Sequence, residues 1–324
     1  MARSLTGAAR SFRSKFSLPN ENILRWFPGH MHKGLEQMQA RLKDIDCVIE
    51  IHDARIPFSG RDMQFRTFIQ LRPHILLLNK ADLADRDKLH ELKTVEKLQD
   101  QGVDTVFFTD LRQFEKSNFL RKKILPMVRE LTDSRPRYNR EGLNEYSAMV
   151  IGVPNVGKST FINAVRWAHT KKKGRAVSVG DKAGVTRSVS NRIKVDNNPP
   201  VYIVDTPGIL MPKVPDIENG MRLALCSCVP DHLVGEENMA DYLLYWLNKR
   251  KNFSYVDVFG LDEPVDNVLV FLTKIALKDK KMLRVKDQAT NQMVMRPDLH
   301  AAALVVLRAF RSGQLGHVLL DDDM

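Results

Sequence analysis

The sequence predicts an α/β fold followed by a smaller all-helical C-terminal domain, and three observations lead there. The first is Gly152-Val153-Pro154-Asn155-Val156-Gly157-Lys158-Ser159-Thr160, which matches G-x-x-x-x-G-K-[ST] at every required position. It sits between an apolar run, 148–151, that reads as a buried strand and a stretch, 160–165, that reads as the start of an amphipathic helix. The second is an alternation of short apolar strands with helical stretches ahead of that loop, which implies a parallel sheet. The third is a change of pattern beyond Met221, where helical spacing takes over.

Residues 1–20 carry Arg3, Arg10, Arg13 and Lys15, several serines and no acid, with Leu5, Ala9, Phe12 and Phe16 at helical spacing. An Arg- and Ser-rich, acid-poor, amphipathic start reads as a mitochondrial transit peptide, the alternative being a basic tail that stays attached. After Trp26-Phe27-Pro28-Gly29-His30-Met31, the residues Met31, Leu35, Met38, Leu42 and Ile45 fall on one helix face. Strands are expected at 47–51, 75–78 and 103–108, with a helix over 87–98 between the last two and a linker at 135–144. Beyond the Gly-rich loop, strands at 193–195 and 201–204 flank an Asn197-Asn198-Pro199-Pro200 turn. The tail predicts helices over 238–251 and 268–277, and a last one capped by Asp298 and ending at Gly313. The expected divisions are 1–20, 21–220 and 221–324.

The 324 residues exceed what one core usually serves, and 43% hydrophobic content is ordinary for a globular chain. No run approaches the roughly 20 apolar residues of a spanning helix, so no transmembrane segment is expected. Cys47, Cys226 and Cys228 are too few for a disulfide framework or a closed zinc site and read as reduced, buried thiols. The net charge of +11 points to a polyanionic partner, and its distribution sharpens the point. Between Arg166 and Lys194 lie Lys171, Lys172, Lys173, Arg175, Lys182, Arg187 and Arg192, with Asp181 the only acid. RNA is the expected partner; a solvated basic face is the alternative.

The Gly-rich loop suits phosphate: glycines turn backbone N–H groups inward, Lys158 neutralises the β- and γ-phosphates, and Ser159 offers a hydroxyl to Mg²⁺. Asn79-Lys80-Ala81-Asp82 at a strand end suits guanine, because a carboxylate can accept from both N1–H and N2–H₂, a donor pair that adenine lacks. Asp205-Thr206-Pro207-Gly208 supplies an acid for the Mg²⁺ shell and a backbone N–H for the γ-phosphate, and Thr186 offers a second hydroxyl.

A guanine reader ahead of the phosphate loop, then Thr186, then Asp205-Thr206-Pro207-Gly208, is the motif order of the circularly permuted GTPases, which this chain resembles. Arg25-Trp26-Phe27-Pro28-Gly29-His30-Met31, Asp53-Ala54-Arg55-Ile56-Pro57 and Asp231-His232-Leu233-Val234-Gly235-Glu236-Glu237 are similar to the branch that assembles the large ribosomal subunit. The resemblance runs from about Arg25 to the C-terminus. It implies a P-loop GTPase domain with circularly permuted motif order over 21–220, binding GTP through Asn79, Lys80, Ala81, Asp82, Asn155, Val156, Gly157, Lys158, Ser159, Thr160 and Gly208. Mg²⁺ would be held by Ser159, Thr186 and Asp205. Ile209, where Ras-like enzymes place a water-orienting glutamine, cannot hydrogen-bond water. The resemblance assigns that catalytic task to His30, otherwise an ordinary loop histidine, and a K⁺ to Asn155, otherwise a residue of loop geometry.

With the leader, the resemblance implies a monomeric GTPase that is slow alone and stimulated by the ribosome. Its partners would be the rRNA and proteins of the mitochondrial large subunit, and its place the matrix, peripheral to the matrix side of the inner membrane. Because the γ-phosphate-sensing segment leads straight into the helical tail, nucleotide state could reorient that tail. Ile209 keeps a second class open: a non-hydrolysing, GTP-bound RNA-binding scaffold.

Overall fold

The computed structural model describes residues 12–18, 36–61, 72–85, 87–113, 119–170, 192–206, 208, 216–287 and 291–321. They divide into two compact units, residues 22–233 with 317–324, and residues 1–21 with 234–316.

The larger unit is built on a six-stranded sheet of order β3-β2-β1-β4-β6-β5. Its strands are β1 (Cys47–Asp53), β2 (His74–Asn79), β3 (Thr105–Thr109), β4 (Tyr146–Ile151), β5 (Ile193–Asn197) and β6 (Pro200–Asp205). All pairings are parallel except β5 with β6, the hairpin that the Asn-Asn-Pro-Pro turn foretold. Every residue of β1 and β2 is buried, as expected of apolar, β-branched strands inside a parallel sheet. Helices α1 (Lys88–Asp100), α2 (Leu125–Asp133), α3 (Lys158–Thr170) and α4 (Ile217–Leu225) belong to this unit. The sequence reading missed α2, which follows a π-helical turn at Leu120–Ile124, and α4.

Two apolar clusters support the strands. Met38 and Ile45 pack on Val48, Met149, Ile151 and Val204, while Leu98 and Val103 pack on Leu76 and Leu78. Each fully buried leucine or isoleucine contributes ~1.5–3 kcal/mol through removal from water. Glu50 pairs in register with Leu76 and Ile151 and is held by Arg61 Nε at 2.8 Å and His74 Nε2 at 3.0 Å. Burial alone would raise its pKa, but the Arg61 guanidinium, with the contact from His74, holds it well below the usual carboxylate range.

The parallel strands run the same way, so their C-terminal ends share one edge. Register places Asp53 beside Asn79 and Asn79 beside Thr109. β1 and β4 are neighbours although β2 and β3 lie between them in sequence, and the winding of the sheet reverses there. Such a reversal opens a crevice at the carboxyl ends of the strands, the usual ligand position in open α/β sheets.

The smaller unit holds α5 (Glu236–Lys249), α6 (Ser254–Phe259), α7 (Val268–Lys278) and α8 (Leu299–Arg311). Asp298 caps α8 as expected, accepting from Ala301 N–H at 2.8 Å. The C-terminal part is helical with one departure from an all-helical domain: an antiparallel hairpin of β7 (Met282–Lys286) and β8 (Met293–Pro297). Its alternation is masked in sequence because apolar and basic residues share faces: Arg284 sits opposite Met295 and Lys286 opposite Met293. The expected boundary between 220 and 221 falls inside α4.

Residues 12–18 also belong to this unit. Phe16 is buried against Tyr242 and Tyr245, with ring centroids at 5.0 and 5.7 Å, and Arg13 pairs with Asp241 at 2.8 Å and Asp266 at 3.1 Å. Residues 12–18 of the expected leader are thus folded chain, because Phe12 and Phe16 find aromatic partners in this unit. Among the described residues no helix is long and apolar enough to cross a membrane. All three cysteines are free and buried.

Candidate nucleotide site

The Gly-rich loop leaves β4 at the sheet reversal and ends in the first turn of α3. Gly152, at φ +143°, passes so close to β1 that a Cβ would lie 2.1 Å from Ile51 O. Gly157, at φ +110°, would place one 2.5 Å from Asn79 Nδ2. Neither position tolerates a side chain, so both glycines set the loop's path. Asn155 also takes a left-handed conformation, φ +59°, and its Nδ2 donates to Ser227 O at 2.9 Å. Val156 is buried, and Ser159 and Thr160 are half-buried where α3 presents its first N–H groups.

Lys158 is buried, and its ammonium donates to Gly152 O at 3.1 Å and Val153 O at 2.9 Å. Burial lowers its pKa to about 8, partly offset by the charge of Asp205. At the end of β6, Asp205 is fully buried, and among the described residues neither carboxylate oxygen has a hydrogen-bond partner of good geometry. Burial pushes it up to about 6, against the pull of Lys158 and of the Thr206 backbone N–H. A buried carboxylate with unused lone pairs, close enough to interact with Lys158 at the start of the helix that also carries Ser159, fits the hard-oxygen donor set of Mg²⁺. Thr206 Oγ donates to Val150 O at 2.8 Å, and Gly208 lies so near the loop that a Cβ would meet Pro154 Cα at 2.7 Å.

From β2 comes the other half. Asn79 Nδ2 donates to Val156 O at 2.6 Å, and its Oδ1 accepts from Leu111 N–H at 2.9 Å, so one side chain ties the Gly-rich loop to the loop after β3. Lys80, at φ +59°, pairs with Asp53 at 2.9 Å. The fully buried Asp53 is also gripped by Arg55, Nε at 2.9 Å and Nη2 at 2.8 Å. Opposed by burial, these two cations still hold its carboxyl far below the usual range. Ala81 N–H donates to Thr109 O at 3.0 Å. Asp82 pairs with Arg112, which also reaches Asp110 at 3.5 Å.

The described site residues of both motifs and of Asp205–Gly208 therefore meet at one edge, whereas His30, Thr186, Ile209 and 171–191 of the basic stretch lie outside the described residues. The sequence pattern assigns no role to Asp53 and Arg55, and it does not mark Arg112. An Asp-x-Arg pair at a strand end is a usable signal for the first; nothing local marks the second.

A Gly-rich phosphate cradle, a guanine-type Asn-Lys-x-Asp loop bonded to it and a buried metal-type carboxylate define a P-loop GTPase, here with the base reader first in sequence. Comparisons with known proteins narrow the class. Residues 147–296 match the model of the 50S ribosome-binding GTPase family, a segment that begins at β4 and leaves the base reader outside. The chain is 48% identical to Mitochondrial GTPase 1 of Aedes aegypti, over 97% of this chain and 99% of that one. It is 46% identical to Mitochondrial ribosome-associated GTPase 1 of Bos taurus, over 99% and 96%. Mitochondrial GTPase 1 of Schizosaccharomyces pombe is 30% identical over 91% and 89%. A GDP-bound structure of TM YlqF is similar at 22% identity and a TM-score of 0.48, covering 87% of this chain and 96% of that chain. The chain belongs to the mitochondrial GTPase 1 family, the circularly permuted GTPases whose vertebrate members are named ribosome-associated.

Proposed function

We propose that this protein is a GTP-hydrolysing assembly factor of the mitochondrial large ribosomal subunit that supports mitochondrial translation. The observation that carries it is the meeting of the Asn79–Asp82 loop with the Gly-rich loop through Asn79, because this joins guanine selection to phosphate binding. Asp82 accepts from the guanine edge, Lys80 and Asn79 flank the base, and Lys158 leaves its loop carbonyls for the β- and γ-phosphates. The N–H groups at the start of α3 and at Gly208 take phosphate oxygens. Ser159, Thr186 and Asp205 hold Mg²⁺, which when bound offsets negative charge on the transferring phosphate. His30 orients the attacking water, and Asn155 holds a K⁺ in place of an arginine finger.

The stretch from Arg166 to Lys194 contacts rRNA, supported by its basic charge, against which Asp181 is the only acid. The relatives' names support a mitochondrial ribosomal partner. The matrix, peripheral to the inner membrane, is the proposed place, and a leader would end before Phe12, since Phe16 is core. Slow intrinsic turnover with ribosomal stimulation and a monomeric state complete the proposal. Ile209 favours a non-hydrolysing scaffold as the second reading.

The test is GTP turnover in K⁺ with and without mitochondrial large-subunit precursors, for wild type and His30→Ala. Stimulated turnover lost in the variant, with GTP binding intact, is expected. No turnover in wild type under either condition would establish the scaffold instead.

A further inference from the structure

After crossing the smaller unit, the chain returns to the larger one at residues 317–321 and lies against the two loops that hold Lys80 and Asp82. Val318 bridges Ala84 in parallel: its N–H donates to Leu83 O at 3.2 Å, and its carbonyl accepts from Asp85 N–H at 3.2 Å. These contacts fall one and three residues beyond Asp82. Leu320 N–H donates to Arg55 O at 2.8 Å, two residues beyond the Asp53 that anchors Lys80. Asp321 closes the arrangement: its Oδ2 accepts from Phe58 and Ser59 N–H at 2.8 Å each, and its Oδ1 from Ser59 Oγ at 2.5 Å and Arg222 Nη1 at 3.3 Å. Val318, Leu320 and Asp321 are all buried.

We propose that residues 317–321 are a strap that positions the guanine-reading loop, so that guanine selectivity depends on the C-terminal end of the chain. The proposal rests on Asn79–Asp82 being the guanine reader. The strap has this leverage because β2 stops at Asn79. Beyond it, the first half of the loop is held by Ala81 N–H on Thr109 O, and the second half by Val318. Two hydrogen bonds from guanine to one carboxylate demand a placement that a shift of about 1 Å destroys. Arg222, which meets Asp321, stands on α4, the helix reached from Asp205 and Gly208, so base and phosphate ends share this anchor.

The experiment uses full-length protein and measures GDP and IDP affinity, since inosine lacks the 2-amino group that Asp82 reads. Val318→Pro removes one strap donor and touches no residue of the site. GDP is expected to weaken about tenfold while its preference over IDP falls several-fold towards parity. Unchanged GDP affinity and preference in a folded variant overturn the proposal, as does an equal loss for GDP and IDP, the mark of general destabilisation. Wild type that does not prefer GDP to IDP or ADP sinks the guanine reading itself. Should Val318→Pro not fold, hydrogen exchange of wild type decides: by linkage, GDP must slow the Val318 and Asp85 amides about tenfold more than those of β5. Equal slowing at all of them overturns the strap.

Discussion

The base end and the phosphate end of the site solve opposite problems with the same residue types. At the base end each polar side chain already has a partner within the protein: Asn79 makes two hydrogen bonds, Lys80 is held by Asp53, and Asp82 by Arg112 through Oδ2, while its Oδ1 finds no partner among the described residues. At the phosphate end Lys158 is folded onto its own loop's carbonyls, and among the described residues Asp205 has no hydrogen-bond partner of good geometry. On the proposed reading, selectivity is therefore preorganised, whereas charge is held buried and under-satisfied for an anion and a metal to relieve. That difference makes the two ends respond differently to mutation and to pH.

Removing the phosphate-end cation should have the largest effect. Lys158→Ala takes away the charge-assisted contacts to two phosphates and is expected to weaken GDP and GTP by ~10³-fold or more, in effect abolishing binding. Isothermal titration would check it, and near-normal affinity would mean that the loop does not hold phosphate.

A base-end change should cost less overall but alter what is bound. Asp82→Asn replaces an acceptor by a donor, so GTP should weaken by ~10²-fold while xanthine nucleotides, which offer an acceptor where guanine has a donor, gain. Competition of XDP against labelled GDP measures it. Loss of both bases alike would place Asp82 in the scaffold rather than the reader.

What the sequence showed follows the same division by range. The Gly-rich loop, Asn79–Asp82 and Asp205–Gly208 were legible because each function needs particular residue types at fixed short spacing, and β1, β2 and β4 because buried parallel strands are unbroken apolar runs. The Asp298 cap was legible for the same local reason. Arg112 on Asp82, Arg13 on Asp241 of α5 and Asp321 on Ser59 were not, since such contacts join segments 30 to more than 200 residues apart. The hairpin β7–β8 was hidden because its two strands mix apolar and basic residues on one face, so the period-2 signal averages out.

The smallest expected effect sharpens the comparison most, because it reads the stored charge directly. Asp205 has its pKa raised in the folded protein to about 6 by burial, against an ordinary aspartate value of about 3.9. A group whose folded pKa is raised binds its proton more tightly folded than unfolded. Its stabilising contribution is present below pH ~4 and is lost as pH rises through about 6, leaving a buried, ionised carboxylate that opposes folding above neutrality. Lys158, lowered to about 8, acts in the opposite sense, losing its contribution as pH falls through that value. Asp205→Asn removes the acid without changing shape. In nucleotide-free, metal-free protein it is therefore expected to raise stability by ~1–3 kcal/mol at pH 7.5 and by roughly half as much at pH 5. Urea unfolding at the two pH values measures the difference, and Mg²⁺ with GDP should reverse its sign at pH 7.5 by stabilising only the wild type's carboxylate. An equal effect at both pH values would show that Asp205 carries no stored charge, and the contrast between the two ends of the site would then rest on Lys158 alone.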